Sequence, residues 1–214
     1  MSERNASLFL FQDVFMRPLI LASRSPRRKI LLRQIGLKFR VIPSQVSEIL
    51  TPRESPAENA KRIAVDKAVD VAGRLRKGIV IGADTLVVID HHVLGKPISK
   101  EDAKRMLKLL SGREHSVFTG FSLVDVETKK HAAGVEETKV RFRKLDENEI
   151  CSYVESGSPM DKAGSYGIQD DYGAVFVEKI NGCFYNVVGF PLARFYSTLQ
   201  HLNAQLESSN KNKK

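Results

Sequence analysis

The feature that most restricts what this chain can fold into is its regular alternation of punctuated helices with short β-branched runs. Ser25-Pro26 opens a helical segment that closes at Gly36, and Ser55-Pro56, with Glu58 at the third helical position, opens one closing at Gly78. Ser99 with Asp102 opens a segment closing at Gly112, Asp146 with Glu149 opens one closing at Gly157, and a C-terminal helix runs from Pro191 to about Leu206. A serine or aspartate cap satisfies free N–H groups, proline is preorganised for the first turn, and glycine takes the left-handed stop. Between these segments, residues 19–22, 39–42, 79–83 and 86–89 are apolar and β-branched, as buried strands are. Residues 117–124 and 135–143 bracket a turn-like stretch at 127–130. In the second of these, Thr138, Val140 and Phe142 alternate with Lys139, Arg141 and Arg143, so the pair reads as a hairpin with one solvated basic face. Helices mixed with both a crossover and a hairpin predict an α/β fold around a mixed twisted β-sheet flanked by helices.

At 214 residues and 42% hydrophobic content the chain can build one good core. It is expected to form a single domain over residues 18–206, preceded by an extension (1–17) and followed by a basic, disordered tail (207–214). The apolar patch at residues 8–11 is interrupted by Gln12 and Asp13 and preceded by Glu3, which does not suit an export signal. No run reaches the 18 or so apolar residues of a membrane helix, because residues 79–89 contain Gly82, Asp84 and Thr85. Membrane partners are therefore not expected. Cys151 and Cys183 stand far apart without a CxxC neighbour, which argues against a disulfide framework or a zinc site and for reduced thiols in a cytoplasm. The net charge of +9 invites a nucleic-acid partner, yet Lys211, Lys213 and Lys214 carry three of those charges in the tail. The remaining body suits a small polyanion such as a nucleotide equally well.

Several local patterns could carry chemistry. Ser23-Arg24-Ser25-Pro26-Arg27-Arg28 lies between a buried strand and a capped helix. Positive side chains in a first turn oppose the helix dipole, at a cost of a few tenths to about 1 kcal/mol each, so Arg27 and Arg28 call for a negative partner. With the helix N–H groups and the Ser23 and Ser25 hydroxyls they form a phosphate cradle; the alternative is two merely exposed arginines. Gly82-Ala83-Asp84-Thr85 breaks an apolar β stretch. A carboxylate there needs a partner or a metal, which makes Asp84 the best candidate acid, against the alternative of a turn that only caps backbone groups. Lys67 falls within the apolar stripe Ala60, Ile63, Ala64, Ala68, Val71 and Leu75, either reaching for an anion or snorkelling to solvent. Lys96, in Gly95-Lys96-Pro97, lacks the upstream glycine of a phosphate-binding P-loop. The glycine-punctuated segment 161–169 ends in Gln169, whose amide can both donate to and accept from a base edge. Asp90-His91-His92 is read as surface, and His115, Tyr185 and Asn186 have no partner that spacing identifies.

Taken together, these segments resemble the Maf family of nucleotide pyrophosphatases. The resemblance is carried by Leu21-Ala22-Ser23-Arg24-Ser25-Pro26-Arg27-Arg28, Gly82-Ala83-Asp84-Thr85, Gly95-Lys96-Pro97, Leu110-Ser111-Gly112 with Thr119-Gly120, residues 161–169, and Asn186-Val187-Val188-Gly189-Phe190-Pro191. Each motif alone is weak, but their order and spacing match from about residue 19 to residue 200. The resemblance implies an elongated α/β fold like that of inosine triphosphate pyrophosphatases, with a deep cleft and a homodimeric assembly. It implies hydrolysis of a nucleoside triphosphate between the α and β phosphates, with Mg²⁺ or Mn²⁺ held by Glu48 and Asp84. Asp84 would be the proton acceptor, and Ser23, Arg27, Arg28, Lys67 and Lys96 would bind substrate. Arg27, Thr85 and Gln169 would mark the subgroup that prefers dTTP and UTP. Two departures from the family pattern are Asp170-Asp171 after Gln169, and Ser158 before the Pro-x-Asp-Lys stretch. Rival readings are a nucleic-acid-binding regulator of septum formation, which has no need of a buried acid, and a nucleotide sensor that does not hydrolyse.

Overall fold

The computed structural model describes residues 17–169 and 172–211. The extension before Arg17, the Asp170-Asp171 departure and the last three residues of the tail lie outside the described residues.

The sheet has the strand order β2-β1-β3-β5-β6-β7, with a short β4 beside β3. Its strands are β1 (Leu19–Leu21), β2 (Phe39–Val41), β3 (Ile79–Ile89), β4 (His92–Leu94), β5 (Glu114–Asp125), β6 (His131–Phe142) and β7 (Val177–Asn181). Both neighbours of β1 run parallel to it, and the remaining pairs are antiparallel. The expected mixed sheet is therefore present, and β5 and β6 form the expected hairpin. On β6, Thr138, Val140 and Phe142 are buried while Lys139 and Arg141 are exposed.

Helices α1 (Pro26–Gln34), α2 (Pro56–Ala72), α3 (Lys100–Leu110), α4 (Glu147–Glu155), α5 (Phe184–Val188) and α6 (Leu192–Lys211) cover the sheet. Caps appear where the sequence places them: Ser25 accepts from the Arg28 N–H, Ser55 and Glu58 form a reciprocal capping box, Ser99 accepts from Asp102, and Asp146 pairs with Glu149. Two helix ends differ from expectation. α2 stops at Ala72 with Gly73 as its cap, so Leu75 lies beyond the helix, while Gly78 takes a positive φ of 115° just before β3. α6 continues past Leu206 to Lys211, into the segment expected to be disordered.

Three apolar clusters hold these layers. α1 and α6 pack Leu31, Leu32, Phe195 and Leu199 against Leu21, Ile81 and Phe121. α2 sets Ala68 and Val71 against Ile20, Val80 and Val124. α3 and α4 enclose Val87, Val117, Val140 and Phe142 with Leu107 and Ile150.

One detail of register creates a site. β5 pairs with β3 along residues 79–88, whereas the opposite edge of β3 is covered by β1 only at 79–81 and by β4 only at 87–89. Residues 82–86 thus have no strand on that edge. The GADT segment does not break β3, as the sequence suggested; it lies inside one continuous strand whose flank is open. Successive strand residues point to opposite faces, and at an open edge side chains from both faces can reach one cavity.

Candidate active site

The cavity at that gap has a volume of about 640 Å³. It is lined by residues 22–28 from the end of β1 and the start of α1, by Glu48 and Lys67, by Asp84, Thr85 and Leu86 of β3, and by Gly95 and Lys96. Further wall comes from residues 161–163, 166–169 and 187–189, with residues 44–46, Leu50, Val87, Val93 and Val117 completing it. All of Ser23, Arg27, Arg28, Glu48, Lys67, Asp84, Thr85, Lys96 and Gln169 are in this lining, although they span much of the chain.

Lys67 reaches Asp84 because α2 lies unusually close to the sheet. A Cβ on Gly82 would sit 2.1 Å from the Ala64 carbonyl, and one on Gly120 only 2.2 Å from that of Ala60. Glycine on the strands and alanine on the helix let the two backbones meet, and Gly120 is the register partner of Asp84. Lys67 is buried, and its Nζ donates to Asp84 Oδ1 at 2.7 Å and to Glu48 Oε1 at 2.6 Å. Of the two readings left open by the sequence, the lysine reaches an anion and does not snorkel.

Asp84 is 4% exposed. Burial pushes its carboxyl above the ordinary aspartate value, and the nearby charges of Lys67 and Arg28 only partly reverse that. Glu48, more than half exposed, goes the other way. Its partial burial is outweighed by the charge and hydrogen bond of Lys67, with help from Lys96 and Arg28, and its carboxyl lies below the ordinary value. Two acids on one ammonium are thereby driven apart in acidity.

Arg28 turns inward. Its Nε donates to the Gly189 carbonyl at 3.0 Å, Nη1 to the Ala83 carbonyl at 2.9 Å and Ser23 Oγ at 3.2 Å, and Nη2 to Thr85 Oγ1 at 3.0 Å. The Ala83 carbonyl belongs to the uncovered stretch of β3, so Arg28 satisfies a backbone group that no strand reaches. Burial pulls its guanidinium below the ordinary value; Asp84 and Glu48 oppose that pull, and Arg27 adds to it. Arginine nonetheless stays charged in proteins. The two forks expected at the start of α1 are thus differently employed: Arg28 organises the floor, while Arg27 stays at the mouth. There Arg27 Nη1 donates to Asp161 Oδ2 at 2.9 Å and Nη2 to the Asp161 carbonyl at 3.2 Å. No acidic residue occupies the first turn of α1, so the N-terminus faces the cavity with its positive end uncompensated. Lys96 and Gln169 are exposed at the rim.

Spacing alone did not identify the groups behind this lining. Thr119 faces Thr85 across β3 and β5 with hydroxyls 2.9 Å apart, and Asn186 is fully buried beside it. His115 Nε2 lies 2.8 Å from the Tyr166 hydroxyl, joining β5 to the segment that carries Gln169. A polar residue inside an apolar run was the available signal for Thr119 in β5 and for Asn186 in α5, whereas His115 stands between Glu114 and Ser116 and gave none. Asp90, His91 and His92 are exposed, as expected; the first two take positive φ in the tight β3–β4 turn.

Among the described residues no group of three or more His, Cys, Asp or Glu side chains is placed to hold a metal ion. Two carboxylates facing a charged cavity nonetheless match the oxygen donors that a Mg²⁺-type cation takes from a protein when water and ligand oxygens complete its shell. No helix among the described residues is long and apolar enough to cross a membrane.

Comparison with known proteins agrees with the motifs. The family model for Maf-like protein matches residues 18–202. A dTTP/UTP pyrophosphatase from Ruminiclostridium cellulolyticum is 47% identical over 89% of this chain and 99% of its own length. One from Carboxydothermus hydrogenoformans is 48% identical over 84% of this chain and 96% of its own. Another, from Desulforamulus reducens, is 41% identical over 89% of this chain and its entire length. The match covers β1 through most of α6 and every element that lines the cavity, so this chain belongs to the Maf family.

Proposed function

We propose that this protein is a nucleoside triphosphate pyrophosphatase acting on dTTP and UTP, releasing the monophosphate and pyrophosphate. The observation that carries the reading is the buried Asp84, tied to Lys67 at 2.7 Å on the floor of a cavity rimmed by a cationic helix start. The relatives named as dTTP/UTP pyrophosphatases support the substrate class.

The residues divide the work. Asp84 accepts the proton of the attacking water, and its affinity for protons, raised by burial, makes it a stronger base than an ordinary aspartate. Lys67 holds Asp84 in place and, with Arg27 and Lys96, neutralises charge that moves onto the departing pyrophosphate. The Ser23 hydroxyl and the Arg27 backbone N–H at the positive end of α1 take phosphate oxygens. Arg28 keeps Ser23, Ala83, Thr85 and Gly189 in register and adds its charge to the floor. Gln169 at the rim reads the base, and Arg27 and Thr85 complete the selection. Glu48 and Asp84 would hold Mg²⁺ or Mn²⁺, which when bound supplies Lewis-acid polarisation of the α-phosphoryl group.

The test is to incubate purified protein with a panel of nucleoside triphosphates, Mg²⁺ or Mn²⁺, and to quantify pyrophosphate, orthophosphate and monophosphate. Pyrophosphate and monophosphate in equal amounts, fastest from dTTP and UTP, are expected. Orthophosphate as the first product, or no product from any nucleotide, would reject the reading.

A further inference from the structure

The hydroxyls behind the cavity wall form a chain with a defined direction. Thr119 is fully buried and is not part of the cavity lining. Its Oγ1 lies 3.2 Å from the Asn186 carbonyl and 2.9 Å from Thr85 Oγ1. A carbonyl can only accept, so the single Thr119 proton goes to Asn186. The Thr119 oxygen is then an acceptor, and Thr85 supplies the proton between them. The opposite arrangement would send the Thr85 proton to the Gly189 carbonyl at 3.5 Å, beyond the good hydrogen-bond range, and is the weaker of the two. With its proton committed, Thr85 accepts from Arg28 Nη2 at 3.0 Å and keeps one lone pair. Asn186 is itself fixed, its Nδ2 donating to the Val117 carbonyl and to Thr138 Oγ1, each at 2.9 Å.

We propose that Thr119 is a positioning residue for substrate recognition: by taking the Thr85 proton it holds Thr85 as a pure acceptor at the cavity wall, where Thr85 receives a hydrogen-bond donor of the nucleoside. A fully ionised phosphate oxygen has no proton to give, so this point of the wall serves the nucleoside half of the substrate and not the triphosphate. The donors a uridine nucleotide offers are the base imide N–H and the sugar hydroxyls. The inference rests on the nucleotide reading of the same cavity and adds to it the polarity of one contact.

Thr119→Val keeps the shape of the side chain and removes the hydroxyl, whereas Thr119→Ser keeps the hydroxyl. For each protein, kcat/KM is measured with UTP, with N3-methyl-UTP, which lacks the imide proton, and with 3′-deoxy-UTP, which lacks a sugar hydroxyl. The wild type should discriminate against one analogue; Thr119→Val should shrink that ratio by about tenfold and Thr119→Ser should restore it to within about twofold, the scale of one hydrogen bond. A ratio lost on the imide analogue assigns the donor to the base, and one lost on the deoxy analogue assigns it to the sugar. Unchanged ratios, equal losses on both analogues, or no recovery in Thr119→Ser would overturn the proposal. Should Thr119→Val not fold, Thr119→Ala replaces it without overpacking. A wild-type protein that releases pyrophosphate from no nucleotide sinks the enzymatic reading separately. The chain itself is then read from NMR exchange of the Arg28 Nη2 protons, one of which Thr85 accepts, expected to be about tenfold faster in Thr119→Val than in wild type or Thr119→Ser. Equal rates would overturn it.

Discussion

Opposing forces act on the Asp84 carboxylate: removal from water favours its neutral form, and the Lys67 ammonium favours its charged one. Burial wins, which leaves a carboxylate readier than an ordinary aspartate to take a proton. Replacing Asp84 by Asn keeps the shape and removes the base, so turnover of dTTP should fall by about a thousandfold or more. Lys67 would retain Glu48 as its counterion, so circular dichroism and the melting temperature should stay close to those of the wild type. Undiminished turnover would remove Asp84 from the mechanism. Lys67→Met is expected to behave differently. It strands a buried carboxylate without its ammonium, a change that costs about 3 kcal/mol in comparable buried pairs, so the urea midpoint should drop along with activity. A variant that lost activity at full stability would show that the lysine acts on substrate alone. From the sequence Asp84 was recognisable as an acid out of place in an apolar run. Its pairing with Lys67 was not, because the two side chains meet only through tertiary packing.

Helix α2 illustrates how far local rules extend. Its start was legible to the residue, since a capping box is a contact between near neighbours. Its end was not: the chain leaves the helix at Gly73, and Gly78 serves the entry to β3 instead. Strand β7 and helix α5 escaped notice because they are short, and β7, at the sheet edge, carries exposed Glu178 and Lys179 in place of an apolar run. The glycines of GADT and of Thr119-Gly120 fall inside strands, as the sequence placed them, and there they let α2 touch the sheet. This close approach is what delivers Lys67 to Asp84. Gly120→Ala would place a methyl group 2.2 Å from the Ala60 carbonyl, a clash with backbone that no rotamer relieves. The helix must lift, at a cost of about 3 kcal/mol, and Lys67 moves with it. Urea denaturation should show the loss, and turnover measured well below the unfolding midpoint should fall too. Full activity in a stable Gly120→Ala protein would mean that the spacing between α2 and the sheet is not what sets the Lys67–Asp84 pair.

Across the whole molecule, the cavity exists because one edge of β3 is left open between β1 and β4, and the wall opposite that gap is a loop tied to the core through His115. The His115 ring is buried, stacked edge-on against Phe142 and Tyr166 with centroids 5.0 and 5.4 Å away, and holds the Tyr166 hydroxyl at 2.8 Å. Burial pulls its imidazolium down from 6.5 to about 3, so the folded protein keeps this ring neutral where the unfolded chain would protonate it. The sign follows from proton counting. Between pH 6.5 and about 3 the unfolded state binds one more proton than the folded state, so this group lowers stability as pH falls through that window and has no further effect below it. The slope for one such group is about 1.4 kcal/mol per pH unit. Urea unfolding of the wild type at pH 7, 6 and 5 should therefore show a falling midpoint, to which carboxylates such as Asp125 also contribute in more acidic solution. His115→Gln keeps a polar partner for Tyr166 but cannot be protonated, and subtracting its curve isolates the histidine. The difference should grow by roughly 1 kcal/mol from pH 6 to pH 5, with wild type losing more. Parallel curves would mean that the ring takes up its proton without unfolding the chain, and that the loop carrying Gln169 yields before the sheet does.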